Sequence, residues 1–167
     1  MEPIFDAFTK LPSDADSIRQ RCLGEMTTFE DWHEIHTLLM VYAEHIDSGR
    51  FAEAAAMFEN ATYRVDHLSA EFQGAAEIQE FLARRRMYPD GTPRTKHIFT
   101  NVIIEVDGDC ATVRSYATVF QQTDVLPLQP IACGRYIDRV ERVASEWRFA
   151  DRLITGFLLG DRSQHVS

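Results

Sequence analysis

The feature that most constrains this chain is a change of hydrophobic period near its middle. Before Pro93 apolar residues recur three and four apart; beyond it four long runs of β-type residues follow one another, 95–106, 110–122, 131–143 and 146–156. The breaker-rich segment 88–93, Tyr-Pro-Asp-Gly-Thr-Pro, marks the switch. Asp107-Gly108-Asp109 and Ala144-Ser145 are short enough to close hairpins, and the Pro127/Pro130 stretch makes a longer connection. Helices that come first and a meander that comes last predict an α+β fold rather than alternating βαβ units. The expected architecture is a set of helices packed on one strongly curved, antiparallel sheet that encloses a pocket.

The helical half can be read in detail. Thr27 followed by Glu30 forms a capping-box pattern, after which Trp32, Ile35, Leu39, Tyr42 and Ile46 fall on one face. That helix is expected to end at Asp47 or Ser48, with Gly49 in the left-handed position beyond it. Phe51, Ala54, Ala55 and Phe58 give a shorter second helix, 61–66 a first strand, and Gly74 opens a third helix marked by Ile78, Phe81 and Leu82 and followed by three arginines. Residues 1–26 read as an arm with a short helix at 15–23, 27–160 as the folded domain, and 161–167 as a C-terminal tail.

Several strands are apolar on both sides: in 95–106, Ile98, Val102 and Ile104 share one face while Phe99 and Ile103 share the other. A sheet wet on one side would alternate more cleanly. One face is therefore expected to meet the helices and the other a second copy of the chain, giving a homodimer or higher homo-oligomer. The formal charge of −9 and the lack of a basic stripe argue against nucleic acid as a partner. No run approaches the ~20 apolar residues of a membrane span, and the first residues, with Asp6, Asp14 and Asp16, do not resemble a secretory signal. A cytoplasmic address is expected. Cys22, Cys110 and Cys133 are odd in number and far apart, which predicts reduced, buried thiols rather than a disulfide framework.

Two residues sit where stability alone would not place them. Asp47 ends the long helix, where the macrodipole disfavours a negative charge by roughly 0.3–1 kcal/mol; it is either solvated or answered by something cationic. His97 shares a strand face with Phe99 and Asn101, and simple alternation adds Ile103 to that side. A carboxylate that holds an imidazole fixes its tautomer and supports the imidazolium formed on proton uptake, which suits a general base. The alternative is an exposed helix-end aspartate and a satisfied core histidine. Tyr42, Tyr63, Phe99, Asn101, Tyr116, Phe120 and Tyr136 are candidates to line the pocket. His33 and His36 lie three apart on a helix without a metal-binding motif and read as a solvated face, so no metal is expected. Asp66 and His67 fall at a strand end near the expected pocket mouth.

Taken in order, Tyr42-Ala-Glu-His-Ile-Asp47-Ser-Gly49, Met57-Phe-Glu-Asn-Ala-Thr-Tyr63, Lys96-His-Ile-Phe-Thr-Asn101-Val102, Gly134-Arg-Tyr-Ile-Asp138 and Trp147-Arg-Phe-Ala-Asp-Arg152 resemble the SnoaL-like branch of the nuclear transport factor 2-like superfamily over about 29–157. The resemblance implies a cone-shaped, cystatin-like α+β barrel whose sheet wraps around the N-terminal helices. Two members it is similar to, lindane dehydrochlorinase and scytalone dehydratase, use an Asp at the end of the first long helix to orient a His on a later strand; the matching positions are Asp47 and His97. Arg152 matches an arginine near the leaving group of the dehydrochlorinase, and Tyr63 stands where that enzyme has a tryptophan. A surface ion pair with Asp138 or Asp151 is the other reading of Arg152. The implied chemistry is cofactor-independent elimination, dehydration or isomerisation of a small hydrophobic or polycyclic molecule of aromatic or polyketide type. The same fold also serves as the non-catalytic small subunit of ring-hydroxylating dioxygenases, or as a ligand-binding protein without chemistry.

Overall fold

The computed structural model describes residues 28–166, so the expected helix at 15–23 and the expected cap at Thr27 lie outside the described residues. The first long helix, α1, runs Phe29–Asp47 and is capped by Thr28, whose hydroxyl accepts from the Asp31 backbone N–H at 3.1 Å. The Thr-x-x-acid pattern thus acts one residue later than 27/30. The Asp31 carboxylate explains the choice, since it also accepts from the Thr28 hydroxyl, Trp147 Nε1 and Arg142, tying the helix start to the last hairpin. Ile35, Leu39, Tyr42, Ala43, Ile46 and Asp47 form the buried face of α1. Trp32 departs from that set and stays 39% exposed, stacked on His36 with ring centroids 4.8 Å apart.

Gly49 ends this segment with φ +72°, and a Cβ there would lie 2.7 Å from the Gly91 carbonyl oxygen. Only glycine fits this corner, which lets the residues after Asp47 turn at once into α2, Phe51–Ala56. Next come β1, Thr62–Val65, a single 3-10 turn, Asp66–Leu68, β2, Ala70–Gln73, and α3, Gly74–Leu82. The four-residue β2 has no expectation in the sequence, being too short to show a period. The four long strands follow: β3, Thr95–Asp107; β4, Cys110–Gln121; β5, Gln129–Val143; and β6, Glu146–Leu159.

They join a six-stranded sheet in the order β2-β1-β6-β5-β4-β3. All neighbours are antiparallel except β1 and β6, so the sheet is mixed. It curves around the helices without closing. Ile35, Leu39, Phe58, Ile78 and Leu82 fill the space between the helices and the inner face, where Val113 and Val140 meet them. Burial of this apolar surface is the main term holding the fold together.

One irregularity decides which side chains face inward. β3 alternates as expected as far as Thr100, but its register with β4 then shifts before Ile103, and Asn101 takes up φ +52°. Beyond this bulge the parity reverses: Val102, Ile104 and Val106 pack toward the core and Ile103 is 50% exposed. The expectation that Asn101 and Ile103 share the face of His97 is therefore corrected. Asn tolerates the left-handed conformation better than most residues, which suits it to this position. The thiols differ from expectation too: Cys110 is exposed because it starts β4 directly after a tight turn, Cys133 is half-buried, and Cys22 lies outside the described residues. Among the described residues no helix is long and apolar enough to cross a membrane.

Candidate active site

The end of α1 and the start of β3 meet at Asp47. Its Oδ1 accepts from Thr95 Oγ1 at 2.8 Å and lies 2.6 Å from His97 Nδ1, while its Oδ2 accepts from the His97 backbone N–H at 2.7 Å. Both side chains are almost sealed from solvent, His97 at 5% and Asp47 at 9% exposure. The cation that a carboxylate at a helix C-terminus calls for is thus a ring of hydrogen-bond donors from the facing strand. Burial works to raise the pKa of Asp47, but the His97 ring, its backbone N–H and Thr95 outweigh it and hold the carboxyl below the ordinary 3.8. Asp47 is accordingly ionised at neutral pH and acts as an acceptor, which puts a proton on His97 Nδ1 and leaves Nε2 as the free ring nitrogen.

His97 also lines a cavity of about 450 Å³. Its apolar wall includes Tyr63, Val119, Ala132, Tyr136 and Ile154, and its rim includes His67, Leu68 and Arg84. The volume falls in the range of small-molecule sites. Residues 161–166, set apart in the sequence as a tail, lie across one side of this space. The Arg86 N–H donates to the His165 carbonyl at 2.9 Å, Arg86 Nη1 to Gln164 Oε1 at 2.7 Å, and the Tyr88 hydroxyl to the Gln164 carbonyl at 2.9 Å. Arg162, His165 and Val166 join the lining in this way.

The other candidates are distributed unevenly. Tyr63 and Tyr136 line the cavity, and burial raises the pKa of both phenols above the ordinary range. Tyr42 stands one layer deeper, its hydroxyl 3.0 Å from that of Tyr63. Phe99 supports the wall from behind, edge-on to Tyr136 at 5.3 Å. Asn101 is exposed at the bulge. Tyr116 and Phe120 belong to the opposite face of β4: Tyr116 pairs with Thr100 and Arg135 and is 38% exposed, and Phe120 lines a separate surface cleft with Lys96 and Leu128. Small residues, Ala111, Val113, Ser115, Ala117 and Val119, take the inner positions of β4, because the helices lie too close there for large rings.

Arg152 does not reach the cavity. It is 0% exposed and forms a two-pronged pair with Asp138, Nε to Oδ1 at 2.6 Å and Nη2 to Oδ2 at 3.0 Å. Its guanidinium lies over the rings of Tyr42, Phe149, Phe58, Tyr136 and Tyr63 at 4.3–5.9 Å. Burial works against its charge, yet the Asp138 carboxylate more than compensates and keeps it protonated. The partner is Asp138, as one sequence reading allowed, but the pair is interior rather than at the surface.

The residues missed by sequence reasoning are those brought in by tertiary contacts: Arg84 and Arg85 after α3, and Arg162 and His165 from the chain end. The run of arginines at 84–86 was visible, but nothing in its spacing tells which of them face inward. Among the described residues, no group of three or more His, Cys, Asp or Glu side chains is placed to hold a metal ion.

A curved α+β sheet enclosing a pocket beside a buried acid–imidazole pair defines a class of small, cone-shaped pocket proteins. Residues 27–153 match the sequence profile of the SnoaL-like domain, and the chain belongs to that family, which includes dehydratases and isomerases. Solved structures of the same fold include a nuclear transport factor 2-like protein with a cystatin-like fold from Novosphingobium aromaticivorans, at 23% identity and TM-score 0.63, over 86% of this chain and 88% of the other. From the same organism, a protein provisionally named an aromatic ring hydroxylase aligns at 20% identity and TM-score 0.67, over 83% and 99% of the two chains. A third, provisionally named a scytalone dehydratase, aligns at 23% identity and TM-score 0.64, over 81% and 91%. No curated protein matches the chain significantly.

Proposed function

We propose that this protein is a cofactor-independent lyase or isomerase, of dehydratase or elimination type, that acts on a small hydrophobic or polycyclic molecule in the cytoplasm. The observation that carries the reading is the 2.6 Å contact between Asp47 Oδ1 and His97 Nδ1 in a histidine that also lines the cavity. With Nδ1 engaged, Nε2 is the atom left to take a proton from a substrate carbon, and the ionised Asp47 stabilises the imidazolium that results. The proton then returns to a second carbon in an isomerisation or leaves with a departing hydroxyl in a dehydration. Enclosure by apolar wall residues strengthens these charge interactions by excluding water. Tyr63 and Tyr136 offer un-ionised phenols as hydrogen-bond donors for the oxygen on which charge develops. Arg152 serves the site from behind, by holding the Tyr42, Tyr63 and Tyr136 rings in place.

A second copy covers the outer face of the sheet in this reading. Ile98, Thr118, Cys133 and Leu158 lie side by side across β3 to β6, as do Ile103, Arg114, Ile137 and Leu153. Ile98, Ile103 and Leu158 are 47%, 50% and 65% exposed, an apolar band that association would cover. Light scattering at micromolar concentration is expected to give a dimer or larger assembly, and a monomeric mass would overturn this part.

The catalytic part is tested by incubating the protein in D2O with a panel of cyclic ketones and β-hydroxy ketones, reading deuterium uptake and loss of water by mass spectrometry. A compound turned over by the natural chain is expected to be left untouched by His97→Asn and only slowly processed by Asp47→Asn. Undiminished turnover in His97→Asn would overturn the mechanism.

A further inference from the structure

The cavity carries a charge pattern opposite to that of the chain around it. The protein has 26 acidic residues and a formal charge of −9, yet among the described residues the lining includes Arg84, Arg85 and Arg162, three histidines, and no carboxylate. Arg64, Arg94, Arg114 and Arg142 elsewhere on the fold each pair with a carboxylate, although among the described residues Arg135 and Arg139 on β5 do not. Among the described residues Arg84, Arg85 and Arg162 have no such partner within salt-bridge distance, and the Nε of Arg85 is buried without any hydrogen-bond partner. A guanidinium withdrawn from water is costly unless an anion or acceptor meets it. Among the described residues the Arg85 side chain meets one carbonyl, Nη1 to Leu82 at 3.1 Å, and its guanidinium carbon lies 5.4 Å from the centre of the Phe81 ring.

These groups are also ordered in depth. Arg84, Arg162 and His67 are exposed, Arg85 and His165 are half-buried, and Tyr63, Ile154 and Val119 are buried. The influence of Arg85 reaches Tyr63, Tyr136 and His165, and that of Arg162 reaches His67 and His165, so the two cations act on the same space from different segments of the chain. A ligand that satisfies this arrangement has an apolar body for the interior and an anionic head for the rim.

We propose that the cavity selects organic anions, an aromatic or polycyclic body bearing a carboxylate held by Arg85 and by Arg162 of the C-terminal segment. The inference rests on the catalytic reading of His97 only in naming the class of its substrate; the charge preference stands on the arginines. An anionic head held there leaves the apolar body to fill the rest of the cavity, whose lining includes His97. It also explains why the last residues of the chain fold back across the cavity, since they deliver one of the two cations.

The test uses a matched pair of probes, 2-naphthoate and 2-naphthamide, titrated into the full-length protein by calorimetry at low salt. Charge-assisted hydrogen bonds to arginine favour the carboxylate by about tenfold or more in affinity. Arg85→Met and, separately, Arg162→Met are expected to erase most of that preference while leaving naphthamide binding unchanged, and added salt is expected to weaken only naphthoate. Arg162 is exposed, so its replacement keeps the test intact if Arg85→Met fails to fold. Equal affinity for the two probes, no saturable binding of naphthoate, or a preference that survives in Arg162→Met would overturn the proposal. None of these results depends on turnover, so a failure here and a failure of the His97 base are read separately.

Discussion

Two buried carboxylates in this fold each meet a nitrogen side chain, and the two pairs differ in what surrounds the nitrogen partner. Arg152 meets Asp138 through two hydrogen bonds and is boxed by five aromatic rings, with no surface left for a ligand. His97 meets Asp47 through one ring nitrogen, and its residue forms part of a cavity wall. Both acidic residues are buried, at 0% and 8% exposure, so burial alone does not distinguish a structural pair from the one we propose as reactive. The difference lies in access: Arg152 is sealed among aromatic rings, with its Nη1 buried and without a hydrogen-bond partner among the described residues, whereas the residue that carries the imidazole lines a cavity.

That contrast can be broken at either end. The largest expected effect is on activity: His97→Asn should lower turnover by about 10²–10⁴-fold, the span of general-base contributions, with little change in the urea midpoint. Next comes Arg152→Met, which strands the Asp138 carboxylate in the core and should cost about 3–5 kcal/mol in urea unfolding. The double replacement Arg152→Met with Asp138→Leu should recover much of that loss, because apolar substitutes of similar size remove the stranded charge. If Arg152→Met instead folds with full stability and fails only in turnover, the division between the two pairs is wrong. A smaller effect is expected from Tyr42→Phe, which deprives the buried Tyr63 hydroxyl of its partner at a cost of about 1–3 kcal/mol; it should register in stability before it registers in substrate affinity.

The smallest effect concerns the chain end. Burial first, then Arg85, His97 and Arg162, hold the His165 imidazole neutral and bring its pKa from 6.5 down to about 4. Between those values the free segment takes up a proton that the docked segment refuses. Docking therefore weakens as pH falls from about 6.5 toward 4 and is fully present above that range. Hydrogen exchange at the Arg86 amide, which donates to the His165 carbonyl, should accelerate over this interval, and His165→Asn should flatten the dependence.

How much was legible in the sequence follows the range of the interactions involved. α1, its glycine stop and the four long strands are written in local periodicity, and they position Asp47 and the start of β3 within a residue or two. The placement of Asp47 at the wrong end of a helix was a local anomaly that pointed to a partner. Tyr116 and Phe120 could not be assigned a face by size, because the inner positions of β4 hold small residues such as Ala111, Ser115 and Ala117, while those of β5 and β6 hold Tyr136, Trp147 and Phe149. Asn101 and Ile103 were misplaced because one left-handed residue in β3 shifts the register, and no spacing rule announces a bulge. The arginines of the rim come from two segments distant in sequence, which only the folded chain brings together.

In the mechanism we propose, Asp47 holds His97 with its proton on Nδ1 and its Nε2 turned to the cavity. Long-range 1H–15N correlation spectroscopy on histidine-labelled protein reports the tautomer directly. The His97 signals, assigned by their loss in His97→Asn, are expected to show a protonated Nδ1 and a bare Nε2, and Asp47→Asn is expected to scramble this pattern. A ring with Nδ1 bare and Nε2 protonated, insensitive to Asp47, would contradict it.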